Sequence, residues 1–233
     1  MLNAADLVRS CAAVVFDCAG TLLRLDPPEA VIFRDAAAEL GLTPRLEDIR
    51  RAYELVHFSL HMQSSQISAR AERQEFYRKF NRDLCLALGI ERTFEGLHSL
   101  LMRRFAERRK WVAFADAVPA LRALRQQVPV HALANWDKGL DTVLREAGLR
   151  DLIGDAAASE LLGAEKPARA CFEAFMARNM LTPDRLVYVG NEYLADIVGA
   201  RDAGLTPVLL DRDDRMAGAD CARIGGLLEL VPT

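Results

Sequence analysis

The hydrophobic positions of this chain follow two different patterns, and the change between them divides the sequence. Residues 12–16 form a short, continuous apolar run rich in valine, which predicts a strand buried on both faces of a parallel sheet. From about residue 25 to residue 111 the apolar positions recur at helical spacing instead, and this pattern predicts four or five helices. Beyond residue 111 apolar runs and amphipathic segments alternate.

This last part of the chain predicts alternating strands and helices. We expect strands at 128–134, 186–189 and 206–210, and helices at 116–127, at 138–147, from Pro167 onward and at 192–203. Such an alternation is typical of a parallel sheet with helices on its faces. We therefore predict an α/β fold: a Rossmann-like parallel sheet formed by residues 1–24 and 112–233, with a helical bundle, residues 25–111, inserted after the first strand.

Length and charge narrow the class of protein. A chain of 233 residues accommodates one core of ordinary size and a smaller second lobe. The net charge of −3, from 30 basic and 33 acidic residues, gives no polybasic surface, so we expect no nucleic-acid partner. No apolar run approaches the roughly 20 residues that cross a bilayer, and the first residues lack signal-peptide features. We expect a cytoplasmic protein without a membrane partner; its oligomeric state stays open.

Cysteines and histidines give weaker signals. The five cysteines are an odd number without paired spacing, which argues against a disulfide framework or a cysteine-rich metal site. Cys18 follows an aspartate at the end of the first predicted strand, where simple packing is favoured over a redox role. His57 and His61 are one helical turn apart, but no acidic or thiol partner accompanies them in a recognised metal pattern, so a solvated or substrate-facing helix surface is favoured.

The most informative polar residue is Asp17, which ends the first predicted strand and enters the turn Cys18-Ala19-Gly20-Thr21. Open parallel sheets bind ligands beyond the carboxyl ends of their strands. A carboxylate in that position can act as a nucleophile. Asp17 is therefore the first candidate catalytic residue.

Three further segments carry polar residues that could meet this aspartate. One predicted strand ends at Ala134 and is followed by Asn135, Lys166 stands directly before a proline, and Asn191 is followed five residues later by Asp196. Taken in order with the first segment, they cover nearly the whole chain and resemble the four motifs of the haloacid dehalogenase superfamily. The helical insertion resembles the cap that one subclass of this family places between its first and second motifs.

The resemblance implies a hydrolase, most simply a phosphatase acting on a small phosphorylated metabolite through an aspartyl-phosphate intermediate. Asp17 would be the nucleophile, Lys166 would be the second catalytic residue, and Asn135 and Lys166 would bind the phosphate. Ala134 stands where the family has a hydroxyl residue. The phosphate would therefore be held by fewer groups than in relatives.

The resemblance also implies a Mg²⁺ site, with Asp17, the backbone carbonyl of Ala19, Asn191 and Asp196 as ligands. Asn191 keeps an oxygen but lacks the charge of the usual aspartate, and Ala19 replaces the second aspartate, which acts as general acid and base. Two charges about 4 Å apart interact by about 4 kcal/mol at an effective dielectric near 20, before solvation is subtracted. We therefore expect weak Mg²⁺ binding, or binding only with substrate. Because general acid-base help is worth about 10²- to 10⁴-fold, monoester hydrolysis should be slow.

Other functions stay open. The chain could be a binding or regulatory protein that keeps the pocket without the chemistry. It could be a 2-haloacid dehalogenase, although those enzymes have serines where this chain has Ala134 and Gly190. Phosphonoacetaldehyde hydrolases share the Asp-x-Ala-Gly-Thr loop but need a cap lysine, for which only Lys79 and Lys110 are available.

Overall fold

The computed structural model describes residues 3–61, 70–108 and 110–232. The chain divides into two compact units, one of Met1–Arg24 with Trp111–Thr233 and one of Leu25–Lys110. Trp111, which the hydrophobic pattern groups with the helices, belongs to the first unit. We call the two the sheet unit and the helical unit.

The described residues contain eight strands and ten α-helices. The strands are β1 Ala13–Phe16, β2 Leu23–Asp26, β3 Lys110–Ala113, β4 Val130–Ala134, β5 Ala156–Ala158, β6 Leu186–Gly190, β7 Thr206–Leu210 and β8 Ala222–Ile224. The helices are α1 Ala4–Ser10, α2 Glu29–Glu39, α3 Leu46–His61, α4 Arg70–Ala87, α5 Phe94–Arg108, α6 Ala117–Leu124, α7 Leu140–Glu146, α8 Ser159–Leu162, α9 Arg169–Asn179 and α10 Gly199–Asp202. Within the described ranges, no helix is long and apolar enough to cross a membrane.

The sheet unit is built on six parallel strands in the order β5-β4-β1-β6-β7-β8, with β1 at an interior position. On one side of β1, Val14 pairs with Val130, and on the other it pairs with Val187. All four residues of β1 are buried, as its uniformly apolar sequence predicts for an interior parallel strand. This arrangement confirms the predicted α/β fold class.

Helices cover both faces of the sheet. Val14 and Phe16 point to a core that includes α1, α6 and α7, whereas Ala13 and Val15 point to a second core that includes α9 and α10. The alternation follows from the two-residue period of a strand. Because side chains alternate, Asp17, the residue after β1, is directed toward the α9 side.

The helical unit has a hydrophobic core of its own, formed by α2, α3, α4 and α5. Phe33, Ile49, Leu84 and Leu97 are fully buried within it. Gly41 adopts a φ of +73° just after α2, where the amide of Leu42 bonds back to the carbonyl of Ala37, so this residue ends the helix.

Two short elements join the units. Strands β2 and β3 form a separate two-stranded sheet where the chain leaves the sheet unit and where it returns. The sequence analysis missed both strands, as it missed β5 and β8, because segments of three or four residues are too short to establish a period.

The expectation that Pro167 begins a helix is wrong. Helix α9 begins at Arg169, and Ala168 is its N-terminal flanking residue. The amide of Ala168 bonds to the carbonyl of Glu165, so Pro167 lies inside a turn. The side chain of Asn135 forms hydrogen bonds with both the amide and the carbonyl of Lys166. These bonds hold the backbone of Lys166 outside the helix that follows.

Packing in the sheet unit makes a simple comparison possible. Leu124 on α6 is fully buried, whereas Leu228 is 54% exposed. We expect Leu124→Ala to lower the free energy of unfolding by about 2–5 kcal/mol, because it leaves a cavity, and Leu228→Ala to change it by less than about 0.5 kcal/mol. Urea unfolding followed by circular dichroism measures both values, and equal effects would contradict the packing described.

Candidate active site

Asp17 lies at the carboxyl end of β1, in a turn that is closed by backbone hydrogen bonds. Its amide donates to the carbonyl of Val189 at 2.9 Å, so the residue still follows the register of the sheet. The amides of Leu22 and Leu23 both donate to the carbonyl of Cys18, and Gly20 takes a φ of +83° that only glycine adopts readily. The turn fixes the direction of the Asp17 side chain, which keeps 10% of its surface exposed.

Lys166 is the centre of the site. Its ammonium group donates to Asp17 Oδ1 at 2.8 Å, to Asp196 Oδ1 at 2.5 Å and to the hydroxyl of Tyr188 at 2.8 Å. An ammonium group has three hydrogens, so all of them have an acceptor. The structure thus brings together three of the residues expected from the sequence, with the Lys166 side chain only 2% exposed.

Asn135 holds the backbone of Lys166. Its amide nitrogen donates to the carbonyl of Lys166 and its oxygen accepts from the amide of Lys166, both at 2.8 Å. Both polar atoms of the side chain are therefore used to position the lysine. The phosphate-binding role expected of Asn135 stays a prediction, and it would have to use the second hydrogen of the same NH₂ group.

Tyr188 is a member of the site that the sequence analysis missed. It lies on β6, fully buried, and its hydroxyl accepts from Lys166 and donates to the carbonyl of Leu133 at 2.8 Å. A tyrosine in a buried strand needs a partner for its hydroxyl. That requirement was the only available signal, and it does not say which partner is used.

Asp196 reaches the site from an irregular segment. The sequence predicts one α-helix over 192–203, but the chain forms a π-helical turn, Tyr193–Val198, followed by the short α10. Asp196 Oδ2 accepts from the amide of Glu192 at 2.9 Å, and Oδ1 accepts from Lys166. A Cβ atom added to Gly190 would lie 2.2 Å from Asp196 Oδ2. The close approach of this carboxylate therefore requires glycine.

Asn191 is bound to the turn after β1. Its amide oxygen accepts from the hydroxyl of Thr21 at 2.8 Å. A Cβ atom on Gly20 would lie 2.6 Å from its amide nitrogen. Asn191 thus packs against the backbone of the turn, while Thr21, another residue that the sequence analysis did not single out, is completely buried.

Two alanines and a cysteine complete the surroundings. Ala134 is buried at the last position of β4, and Ala19 is half-buried in the turn. Neither can donate a hydrogen bond or a proton from its side chain. Burial, with a further contribution from the charge of Asp17, raises the pKa of the Cys18 thiol well above its ordinary value. This favours packing over a redox role for Cys18.

Burial and the neighbouring charges shift the pKa values of Asp17, Asp196 and Lys166. Burial raises the pKa of Asp17 to about 7, and Asp196 adds to the rise while Lys166 opposes it. Burial also raises the pKa of Asp196. Burial disfavours the charge on Lys166, but the two aspartates outweigh this effect and hold its pKa well above the ordinary range. The lysine is therefore positively charged at neutral pH.

The residues expected to bind Mg²⁺ offer few free oxygens. Both carboxylate oxygens of Asp196, one of Asp17 and the amide oxygen of Asn191 already accept hydrogen bonds. Within the described ranges, Asp17 Oδ2 and the Ala19 carbonyl are the remaining oxygens of the set, and no cluster of three His, Cys, Asp or Glu side chains suited to a metal is found there. Because Mg²⁺ needs near-octahedral oxygen coordination, this set does not fit a resident ion.

The other candidates lie apart from this cluster or outside the description. The side chains of His57 and His61 are not among the described residues. Lys79 forms an exposed ion pair with Asp83 in the helical unit, and Lys110 is exposed. Neither lysine is buried, in contrast to Lys166.

Comparison with known proteins assigns the class to which this site belongs. The hydrolase family described as haloacid dehalogenase-like hydrolase matches residues 11–204, which is most of the chain. The chain therefore belongs to the haloacid dehalogenase-like hydrolases, as its four motifs led us to expect.

Similar proteins span nearly the same length. The ribulose-1,5-bisphosphate 5-phosphatase of Halopiger xanaduensis is 28% identical over 90% of this chain and 89% of its own. The haloacid dehalogenase-like hydrolase domain-containing protein 3 of Danio rerio is 25% identical, over 86% and 85%. The putative HAD-hydrolase YfnB of Bacillus subtilis, solved bound to magnesium, superposes with a TM-score of 0.74 at 23% identity, over 94% and 96%. This last similarity supports the fold.

The raised pKa of Asp17 leads to a prediction about stability. The folded chain binds more protons than the unfolded chain between about pH 4 and pH 7, so the contribution of Asp17 to stability is full below pH 4 and is lost as the pH rises through 7. We expect Asp17→Asn to gain about 1–3 kcal/mol relative to the wild type between pH 5 and pH 8, at about 1.4 kcal/mol per pKa unit. Urea unfolding in EDTA at both pH values measures this gain.

The exposed residue Asp202 provides a control, since Asp202→Asn removes the same charge from the surface. Its difference from the wild type should stay the same at both pH values. A pH-independent effect of Asp17→Asn would mean that Asp17 titrates at its ordinary pKa.

The hydroxyl of Tyr188 leads to a second prediction. Tyr188→Phe leaves one hydrogen of Lys166 without an acceptor and the carbonyl of Leu133 without its donor, so the free energy of unfolding should fall by about 1–3 kcal/mol. Tyr77→Phe, at a side chain that is 46% exposed, should change it by less than about 0.5 kcal/mol. Denaturant titration compares the two, and a neutral Tyr188→Phe would show that the hydroxyl is not needed.

Proposed function

We propose that this chain is a phosphatase-like hydrolase that transfers a phosphoryl group from a small metabolite to Asp17. The observation that carries the proposal is the different state of the two Asp17 oxygens. Oδ1 is held by Lys166, whereas Oδ2 has no donor among the described residues and the side chain is not fully buried. A carboxylate fixed through one oxygen presents the other to an electrophile in a single orientation.

The relatives support a phosphorylated substrate. One protein that matches along nearly its whole length is named a ribulose-1,5-bisphosphate 5-phosphatase. Another, 30% identical over 41% of this chain, is named a glyceraldehyde 3-phosphate phosphatase. Both names describe phosphate esters of small, polar molecules, which is the substrate class that we propose.

The reaction would proceed in two steps. Asp17 Oδ2 attacks the phosphorus, the bond to the leaving group breaks, and the leaving group departs with the electron pair. Water then attacks the phosphorus of the aspartyl phosphate, which releases inorganic phosphate and restores the carboxylate. Lys166 positions Asp17 in the free protein and keeps a positive charge beside it throughout.

Three residues should restrict this activity. Ala19 supplies neither a proton to the leaving group nor a base for the attacking water, Ala134 offers no hydroxyl to the phosphate, and Asn191 lacks a negative charge. Acyl phosphates and other substrates with good leaving groups depend least on a proton donor. We therefore propose that the chain prefers them, and that its aspartyl phosphate is long-lived.

Mass spectrometry of the intact protein tests the proposal. After incubation with acetyl phosphate, the wild type should gain the mass of one phosphoryl group, and Asp17→Asn should not. Ala19→Asp restores a base and should shorten the lifetime of the adduct by about 10²- to 10⁴-fold. Asp202→Asn is the matched control and should be labelled like the wild type.

Failure of the wild type to become labelled, or equal labelling of Asp17→Asn, would contradict the proposal. If inorganic phosphate raised the melting temperature without any labelling or turnover across a panel of phosphate esters, the chain would instead be a binding protein, because a ligand stabilises by mass action alone.

A second function uses the same oxygen. Asp17 Oδ2 could attack the carbon of a 2-haloacid, with departure of halide and later hydrolysis of the ester. The shortage of free metal ligands favours it, since halide departs without a metal ion or a proton donor. Ala134 counts against it, because dehalogenases have a serine there. Halide release from a 2-haloacid, without labelling by acetyl phosphate, would decide for this function.

A further inference from the structure

We infer that the ammonium group of Lys166 is the resident cation of the site, and that Asn191 keeps the free protein from binding Mg²⁺. The inference rests on the site of the proposed function but concerns binding rather than turnover. It departs from what the family resemblance implies, because the donor atoms of this chain do not fit the metal.

The first argument is the charge of the site. Asp17 and Asp196 together carry at most two negative charges, and Lys166 returns one positive charge at distances of 2.8 and 2.5 Å. A divalent ion would therefore meet one net negative charge from these three groups. Sites for Mg²⁺ use one or two carboxylates and usually also the phosphates of a substrate. The free protein offers the carboxylates but not the substrate phosphates.

The second argument is that Lys166 cannot leave. Its side chain is 2% exposed, its three hydrogens all have acceptors, and its backbone is held on both sides by Asn135. If a metal ion displaced the ammonium group, the buried charge of Lys166 would lose both of its carboxylate partners, which is strongly unfavourable. A metal ion therefore has to add to the lysine and cannot replace it.

The third argument concerns Asn191. The hydroxyl of Thr21 is completely buried, and a buried hydroxyl hydrogen needs an acceptor, which is the amide oxygen of Asn191. The Asn191 side chain also lies against the backbone of Gly20. An amide oxygen that is neutral and already accepts a hydrogen bond is a weak ligand for a hard cation. An aspartate in this place would keep the bond to Thr21 and have a second, charged oxygen to offer.

Glu192 is a further acidic residue whose charge acts on the site. Its charge adds to the effects that raise the pKa values of Asp17 and Asp196, whose main cause is burial. However, these acidic side chains do not form a group suited to metal coordination among the residues that the structure describes.

Titration with Mg²⁺ tests the inference without measuring turnover. EDTA-treated wild type should show no heat of binding in calorimetry, and its melting temperature should be the same in ~10 mM MgCl₂ as in NaCl of equal ionic strength. Asn191→Asp should bind Mg²⁺, and a Kd of about 0.1 mM would raise its melting temperature by roughly 5–10 °C.

Asn3→Asp is the matched control. It adds the same charge at the exposed residue that caps α1, where aspartate and asparagine are equally good, so its melting temperature should not respond to Mg²⁺. A wild type that binds Mg²⁺ with a Kd below about 1 mM, or an Asn191→Asp variant that gains no binding, would overturn the inference.

Labelling with acetyl phosphate in EDTA and in MgCl₂ separates this inference from the proposed function. If neither condition labels Asp17, the proposed function fails while the titration still decides about the metal. If the wild type binds Mg²⁺ and is labelled only in its presence, the inference fails and the proposed function stands. Equal labelling in both conditions supports the two together.

Discussion

One ammonium group, buried between two carboxylates, connects the elements that meet at the carboxyl ends of the parallel strands. Lys166 joins the end of β1 to β6 and to the π-helical turn after it, although β1 is far from both in sequence. In water an ammonium group would change its hydrogen-bond partners continually. In a buried site each hydrogen bond is stronger, and a polar group without a partner raises the free energy of the fold more than it would in water. The arrangement of the whole site therefore depends on keeping this cation where it is.

The surrounding chain is shaped to do so. The side chain of Asn135 fixes the lysine backbone, the glycine at 190 lets Asp196 approach, and the hydroxyl of Tyr188 takes the third hydrogen. Each of these features holds the lysine or one of its partners in position. A buried carboxylate with a raised pKa lowers the stability of the fold at neutral pH, and natural proteins keep such groups mainly where function requires them.

Much of this could be predicted from sequence, because the carboxyl ends of parallel strands lie at one edge of a sheet. The uniformly apolar run at β1 and the alternation of strands and helices were enough to predict the α/β fold, and the order of the motifs singled out Asp17, Lys166 and Asp196, which the structure brings together. The task of Asn135 could not be predicted, since an asparagine after a strand can face a ligand or the backbone equally well.

Other features depend on tertiary contacts that leave no local pattern. Tyr188 reads as one more apolar residue of a strand until its hydroxyl is matched with a lysine elsewhere in the chain. The π-helical turn is a single turn followed by one turn of α-helix, which is too short for the hydrophobic pattern to distinguish it from a continuous α-helix. Strand β5 consists of three alanines, which favour a helix by propensity and form a strand only because β4 pairs with them.

The pairing of β2 with β3 affects how large an insertion the sheet unit can tolerate. The chain leaves the sheet unit at β2 and returns to it at β3, and these two strands are hydrogen-bonded to each other. The helical unit is therefore an insertion whose two ends are held together by the pairing of these strands. The loop-closure entropy of such an insertion grows only with the logarithm of its length. Segments of very different size can therefore be inserted or exchanged there while the sheet unit folds as before.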